Sequence, residues 1–465
     1  MPRLFALLAA CAALLLFTAR PAAADAIDDF VRDDIARRRV PGVAVAVVKN
    51  GETLKLAGYG LADVENDVPV TPKTVFQIQS VTKTMTSAAV LALADEGKLS
   101  LGDPVSKHLD GTPDAWKDVT LRHLLSHTSG IKDFINEPTA SLRLDVTEED
   151  VLRATAPRPM NFKPGERYQY SNTNYHLLAM IVRKLTGKAY GDVLAERFFA
   201  PLGMAQTRVN SLSDIVPHRA SGYAWDGKAL RHGTYVADPI LAYGGGGVVT
   251  SAADMATWAK ALQAGKVLKP QTLAKAWTPT PLTDGKTSNC GLGWNVGSTN
   301  GHRVVSHGGA HMTGFTSHFA HYPDDGLTVV VLTNSRGGDP ARIARRIARL
   351  VDPKLGPPEA TPIEDRDPAV TKLVRQTLEH FAEGLPDEKG FTPELWKLLA
   401  GEAARQRAAA RERGEIKSVT PIGREEGKGG WRTLHYRVVA ANSAARVKAV
   451  VNGEGRIAGW WLEEE

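Results

Sequence analysis

Cysteine is scarce in this chain, which has only Cys11 and Cys290 among its 465 residues. We predict that Cys11 is removed with an N-terminal leader, and one remaining thiol cannot form an internal disulfide. The sequence therefore excludes a disulfide scaffold of the kind that stabilises small secreted proteins. Cys290 is expected to behave as a small buried apolar residue.

Long blocks of one charge are also absent. The 57 basic and 51 acidic residues are interspersed and leave a formal charge of +6, without a stripe that combines basic and aromatic residues. The pattern does not favour binding to nucleic acid. A hydrophobic fraction of 43% is typical of a globular protein, and the length allows more than one domain.

After the N-terminus, no apolar run approaches the roughly 20 residues that a membrane-spanning helix needs. The N-terminus itself has Arg3, a short apolar run from Leu4 to Phe17, and small residues from Ala22 to Ala24. This order predicts a cleaved signal peptide over residues 1–24, and hence a periplasmic or secreted protein. An uncleaved membrane anchor is the alternative. A lipoprotein cleavage site at Cys11 is disfavoured because the apolar run continues past it.

Strand patterns lie at the two ends of residues 25–351, and helical patterns dominate the middle. Two β-rich runs flank Asn50-Gly51, a strong hairpin signal. Leu327 to Thr333 is nearly continuously apolar, as in a strand buried on both faces. The economical arrangement is an α/β (α+β) domain in which both ends form one antiparallel sheet beside a helical insertion. A catalytic cleft is expected between these two parts.

A change of composition follows this region. Residues 352–366 are rich in proline and glycine and are predicted to be a linker. Residues 367–465 are predicted to form a separate small α+β domain, with helical segments at 370–384 and 393–412 followed by an antiparallel sheet. This domain faintly resembles the curved-sheet domains of the cystatin or nuclear-transport-factor (NTF2) type, and it contains no evident catalytic constellation.

The strongest chemical signal is Ser80 followed by Lys83 at the start of a predicted helix. Residues three apart share a helix face, and the helix N-terminus offers free N–H groups beside the serine oxygen. Serine needs an adjacent base, and a lysine serves when burial lowers its pKa. Taken alone, this spacing is also common on helix surfaces.

Two further motifs strengthen the interpretation. Tyr170 and Asn172 stand at the head of another predicted helix, where a tyrosine hydroxyl could shuttle a proton and an amide could contact substrate or Lys83. A helix N-cap is the alternative reading of this segment. The run from Val305 to Ala310 is expected at the end of a strand, where glycines allow a ligand to approach the backbone.

In this order and spacing, the three motifs resemble those of the serine β-lactamase and penicillin-binding-protein superfamily, in particular its class C-like branch. The resemblance covers roughly residues 27–350, including landmark segments at 97–105, 120–130, 201–204 and 246–251. It implies the β-lactamase/transpeptidase-like fold. It also implies an acyl-enzyme formed on Ser80, with Lys83 and Tyr170 as the general-base system.

The same resemblance implies that Asn172, His307, Gly309 and Ala310 bind the substrate. The oxyanion hole would be formed by the backbone N–H groups of Ser80 and Ala310. True β-lactamases have Lys-Thr-Gly as the third motif, whereas this chain has histidine at position 307, as in esterase and D-amino-acid peptidase members. A neutral imidazole is a poorer anchor for a carboxylate than an ammonium.

We therefore expect an exported serine hydrolase that acts on an ester, an amide or a D-amino-acid peptide. A β-lactamase or D,D-carboxypeptidase is the first alternative, and a catalytically silent binding or regulatory homologue is the second. The expected partner is a small-molecule or peptide substrate, with no cofactor. His123 and His127 have the spacing of two metal ligands, but Leu124 replaces the glutamate of a zinc peptidase, so no metal site is predicted.

Overall fold

The computed structural model describes residues 22–135, 147–211, 213–234, 236, 243–356, 360–441 and 443–464. The predicted signal peptide therefore lies largely outside the described residues. Two compact units are present, one comprising the chain up to Gly297 together with Arg303–Val351, the other Ser298–His302 and the chain from Asp352 onward. The exact domain and linker boundaries given above remain predictions. Among the described residues, no helix has the length and apolar character needed to cross a membrane.

The larger unit contains a seven-stranded antiparallel sheet in the order β3-β2-β1-β12-β11-β10-β9. Its strands are β1 Gly42–Lys49, β2 Glu52–Asp63, β3 Val68–Pro69, β9 Asn295–Thr299, β10 His302–His311, β11 Phe315–Tyr322 and β12 Leu327–Thr333. The first strand thus pairs with the last, as the sequence predicts for a sheet made from both ends of the domain. Asn50 and Gly51 both have positive φ values, of 51° and 80°, as the tight turn between β1 and β2 requires.

Strand β12 is buried along its whole length, which confirms the prediction from its apolar sequence. Val330 and Leu332 belong to the core shared with the helical part of the domain. Val329 and Val331 are equally buried, and alternation along a strand places them on the opposite face. The sheet is therefore covered on both sides.

The chain between the two groups of sheet strands contains helices, a few short strands and the loops that join them. The helices of this unit are α1 Ala22–Arg38, α2 Thr82–Asp95, α3 Leu121–Leu125, α4 Glu148–Thr155, α5 Asn172–Thr186, α6 Tyr190–Leu194, α7 Ala200–Leu202, α8 Ala252–Gln263, α9 Pro270–Ala276 and α10 Pro340–Val351. Short strands complete it: β4 Val75–Gln77, β5 Arg208–Val209, β6 Tyr223–Trp225, β7 Leu230–His232 and β8 Val248–Ser251. The predicted α/β (α+β) fold class, with terminal strands and a helical insertion, is confirmed.

The smaller unit has helices followed by an antiparallel sheet in the order β13-β14-β15-β16. Its elements are α11 Pro368–Glu383, α12 Pro393–Gly401, α13 Ala403–Arg413, β13 Ile416–Glu426, β14 Arg432–Ala440, β15 Ala444–Val451 and β16 Ile457–Glu464. Alternate residues of β14, including Leu434 and Tyr436, pack into a core with the helices. Residues 393–412 are helical as expected, but they form two consecutive helices, because the chain leaves helical geometry at Glu402.

Candidate active site

Ser80 lies in a 3-10 turn, Gln79–Val81, that leads directly into α2. The preceding Gln79 has φ +48°, a left-handed conformation that is uncommon outside glycine and that clusters at functional sites. Strand β11 fixes the position of this turn, because the Ser317 hydroxyl donates to the Ile78 carbonyl at 2.7 Å. Ser80 therefore stands at a fixed helix start, partly exposed to a cleft.

Lys83 lies one turn along the same helix and is completely buried. Its Nζ donates to Ser80 Oγ at 3.1 Å, to Asn172 Oδ1 at 2.9 Å and to the Gly245 carbonyl at 2.6 Å. Burial lowers the pKa of this amine to about 7, while the negative charge of Asp133 opposes the shift. A large fraction of Lys83 is thus neutral at neutral pH, which is the state required of a base. In that state the two remaining N–H groups donate to Asn172 and Gly245, and the lone pair accepts from the Ser80 hydroxyl.

Tyr170 lies opposite Lys83, immediately before α5. Its hydroxyl donates to Ser80 Oγ at 2.8 Å, so the serine oxygen contacts both predicted partners. Burial raises the pKa of this phenol above its usual value. Tyr170 is consequently protonated at neutral pH and is a proton donor in the resting site.

Asn172 connects the lysine to a residue that the sequence did not single out. Its Oδ1 accepts from Lys83, and its Nδ2 donates to Asp133 Oδ2 at 2.9 Å. Hydrogen bonds to both its oxygen and its nitrogen therefore fix the orientation of the Asn172 amide. Asp133 acts on Lys83 in two ways, by orienting Asn172 and by raising the lysine pKa with its charge.

His307, Gly309 and Ala310 lie within β10, which continues to His311. The run from Val305 to Ala310 thus forms the end of a strand, as expected, and Gly308 and Gly309 keep their pairing with β11. His307 is buried, and burial together with the nearby Lys83 lowers the pKa of its imidazole to about 3. Its Nδ1 lies 2.7 Å from the Gly308 carbonyl. Since a carbonyl only accepts, Nδ1 carries the proton and Nε2 of the neutral ring is an acceptor.

Gly309 brings β10 against the turn before Ser80. A Cβ atom at this position would lie 2.3 Å from the Ile78 carbonyl oxygen and 2.9 Å from the Gln79 Cβ. Only glycine permits this approach of β10 to the turn. The oxyanion hole expected from the N–H groups of Ser80 and Ala310 requires the strand and the turn to lie this close.

A cavity of about 600 Å³ opens onto these groups. Its lining includes all the predicted site residues except Lys83, which lies buried beneath them: Ser80, Tyr170, Asn172, His307, Gly309 and Ala310. The structure thus brings the predicted set together, while the catalytic role of each member remains a prediction.

His123 and His127 do not form a pair on one helix face, because α3 ends at Leu125. Each ring accepts a backbone N–H through Nδ1, from Thr120 at 3.2 Å and from Ser171 at 3.2 Å respectively. Within the described part of the chain, no group of three or more His, Cys, Asp or Glu residues is arranged to hold a metal. The ring of His127 instead lies against Tyr170.

Comparison with known proteins points to one family. The family model described as Beta-lactamase matches residues 27–352. A Bacillus subtilis (strain 168) protein named as a penicillin-binding protein, PbpX, is 31% identical over 62% of this chain and 68% of its own. Protein flp of Staphylococcus aureus (strain N315) is 35% identical over 43% of this chain, and the match spans only 41% of that protein's length.

Solved structures share the fold. The D-amino acid amidase from Ochrobactrum anthropi SV3 is 27% identical, with a TM-score of 0.61 over 72% of this chain and 98% of that chain. The octameric penicillin-binding protein homologue from Pyrococcus abyssi, at 22% identity, has a TM-score of 0.63 over 95% of this chain and 98% of that chain. The second likeness concerns the fold alone.

Proposed function

Because this chain belongs to the beta-lactamase family, we propose that it is a serine hydrolase that works through an acyl-enzyme intermediate on Ser80. One observation carries the proposal: Ser80 Oγ lies within hydrogen-bond distance of both Lys83 Nζ, at 3.1 Å, and the Tyr170 hydroxyl, at 2.8 Å. The oxygen of a nucleophile in the cleft therefore contacts both a base with a lowered pKa and a proton donor.

In the acylation step, neutral Lys83 accepts the Ser80 proton as Oγ forms a bond to the substrate carbonyl carbon. The carbonyl π electrons move onto oxygen, and the N–H groups of Ser80 and Ala310 stabilise the resulting oxyanion in this proposal. Burial of Lys83 supplies the neutral amine that this step requires, because it removes the hydration that would otherwise hold the amine in its charged form.

When the tetrahedral intermediate collapses, the bond to the leaving nitrogen or oxygen breaks and that atom needs a proton. Tyr170 supplies it, since its raised pKa keeps the hydroxyl protonated. Transfer of the proton from Lys83 to the Tyr170 oxygen restores both groups. Water then attacks the acyl-Ser80 ester with the same groups acting in reverse.

The proposed substrates are esters, amides or D-amino-acid peptides. A neutral His307 has no ammonium for a substrate carboxylate, and its Nε2 offers an acceptor instead. The D-amino acid amidase neighbour supports an amide substrate. A β-lactamase or D,D-carboxypeptidase is the second candidate, favoured by the penicillin-binding-protein relative. We propose that the protein acts outside the cytoplasm, on the basis of the leader-like sequence at its N-terminus.

Steady-state hydrolysis of a p-nitrophenyl ester, D-phenylalanine amide and a penicillin tests this proposal, with Ser80→Ala as the matched control. We expect turnover of the ester or the amide, slower turnover of the penicillin, and none above background in Ser80→Ala. Rapid penicillin turnover would reverse the order of substrates. Failure of the wild-type protein to react with any of the three favours the silent binding or regulatory homologue.

A further inference from the structure

The segment that follows α3 runs beneath the cleft and brings His127 against Tyr170. We infer that His127 is a positioning residue, which holds Tyr170 at the angle and distance needed to reach Ser80. This inference rests on the proposed function, since it concerns the proton donor of that reaction. Nothing in the spacing of the sequence motifs assigns this role to His127.

Two backbone-directed hydrogen bonds fix the chain on either side of Tyr170. The His127 carbonyl accepts the N–H of Gln169 at 2.9 Å, and His127 Nδ1 accepts the N–H of Ser171 at 3.2 Å. One residue thus binds both neighbours of the tyrosine. Because these bonds flank Tyr170, they set the position of its Cα and the direction in which its side chain leaves the backbone.

The imidazole also supports the phenol ring directly. The centroids of the His127 and Tyr170 rings are 4.4 Å apart with an interplanar angle of 30°, a stacked arrangement. Stacking restricts the tilt of the phenol. The hydroxyl at the far end of that ring then contacts Ser80 Oγ at 2.8 Å, so a small change in tilt moves it out of hydrogen-bond range.

His127 is itself rigidly placed. It is buried and has φ +55°, a left-handed conformation that is uncommon outside glycine. The residues after it bind two other parts of the domain: the Thr128 carbonyl accepts the N–H of Gly165 at 2.8 Å, and Ser129 Oγ donates to Asn174 at 2.7 Å. A residue whose backbone is held in this way can fix the position of Tyr170, which packs against it.

The protonation state of His127 fits the role. Burial and the nearby Lys83 hold the pKa of the imidazole well below its usual value, so the ring is neutral. Nδ1 accepts from Ser171, which leaves the proton on Nε2. Nε2 is buried and, among the described residues, has no hydrogen-bond partner. His127 is therefore placed to orient Tyr170 without adding a positive charge beside Lys83.

Two substitutions separate the contributions of His127. His127→Asn keeps an acceptor for the Ser171 N–H and tolerates the left-handed backbone, but it removes the stacked ring. His127→Phe keeps a ring but removes the acceptor. We expect kcat to fall about 10- to 100-fold in each variant, the range expected for a misplaced catalytic group, with KM changed less than twofold.

His123→Asn is the matched control, since His123 also accepts a backbone N–H through Nδ1 but does not contact Tyr170. It should keep the wild-type kcat. Thermal unfolding identifies variants that do not fold, and if one of the His127 variants is unfolded the other carries the test. A wild-type kcat in a folded His127 variant, or an equal loss in the control, overturns the inference. Absence of Ser80 labelling by a fluorophosphonate in the wild-type protein instead overturns the proposed function.

Discussion

Replacing Gly309 by alanine tests the geometry of the candidate oxyanion hole. The added Cβ would lie 2.3 Å from the Ile78 carbonyl oxygen and 2.5 Å from Ser317 Oγ, whereas real Cβ contacts essentially never fall below 3.0 Å. Neither neighbour can yield easily, because Ser317 Oγ is hydrogen-bonded to that same carbonyl. The strand and the turn before Ser80 must therefore separate by about 0.7 Å, a distance that follows from these contacts.

That separation carries Ala310 away from Ser80. A hydrogen bond of about 2.9 Å that lengthens by this amount is effectively lost, and loss of one oxyanion donor costs about 10²- to 10³-fold in kcat. We expect Gly309→Ala to lower kcat about 10²-fold, and overpacking to reduce the free energy of unfolding by about 1–3 kcal/mol.

The assay is ester hydrolysis by the purified variant, with urea unfolding measured in parallel. Gly308→Ala is the matched control on the same strand, because its Cβ would meet only His318 Nδ1 at 3.5 Å and the Ser317 carbonyl at 3.8 Å, which are ordinary contacts. Its kcat should stay within about threefold of wild type, since contacts at these distances do not require β10 to move. Equal activity of folded Gly309→Ala and wild type refutes the argument that this approach builds the oxyanion hole.

The remaining predictions concern the proton-transfer groups. The acylation rate should rise about tenfold per pH unit up to about pH 7 and then level off, because Lys83 is an active base only when neutral and its pKa is about 7. The pKa of His307 is about 3, so His307 does not cause a change of rate between pH 5 and 8. A flat rate profile over that interval contradicts Lys83 as the base. Asp133→Asn should move the midpoint of this profile to lower pH, since the carboxylate of Asp133 raises the lysine pKa; a shift to higher pH opposes this assignment. Tyr170→Phe should lower kcat about 10²- to 10⁴-fold, the usual contribution of a general acid or base, while circular dichroism shows an unchanged fold. An active Tyr170→Phe protein argues against Tyr170 as proton donor.

Much of the fold follows from local patterns in the sequence. Asn50 and Gly51 predict their hairpin because both positions need a positive φ. The apolar run of β12 predicts burial on both faces, because consecutive side chains of a strand point to opposite faces of the sheet. Strand β13 was not foreseen, because Pro421 and Gly423 interrupt its alternation and the ladder shifts register there.

The candidate site was predictable only in part. Ser80 and Lys83 belong to a motif whose spacing reflects helix geometry, whereas Tyr170 and Asn172 were predicted from their resemblance to a known family motif. Asp133 had no such signal, because its bond to Asn172 joins residues 39 positions apart in the chain.

The role of His127 was hidden for a related reason. Its spacing from His123 suggests a shared helix face, but the chain leaves the helix before His127 and turns the ring toward Tyr170. Contacts of this kind depend on tertiary packing and cannot be read from the spacing of residues along the sequence.

Mass spectrometry of the covalent adduct tests the central claim most directly. Trypsin should release Thr74–Lys83, in which Ser80 is the only serine. After incubation with a fluorophosphonate, we predict that the adduct mass lies on Ser80 within this peptide and is absent from Ser80→Ala. An adduct on another residue, or undiminished labelling of Ser80→Ala, would contradict Ser80 as the nucleophile.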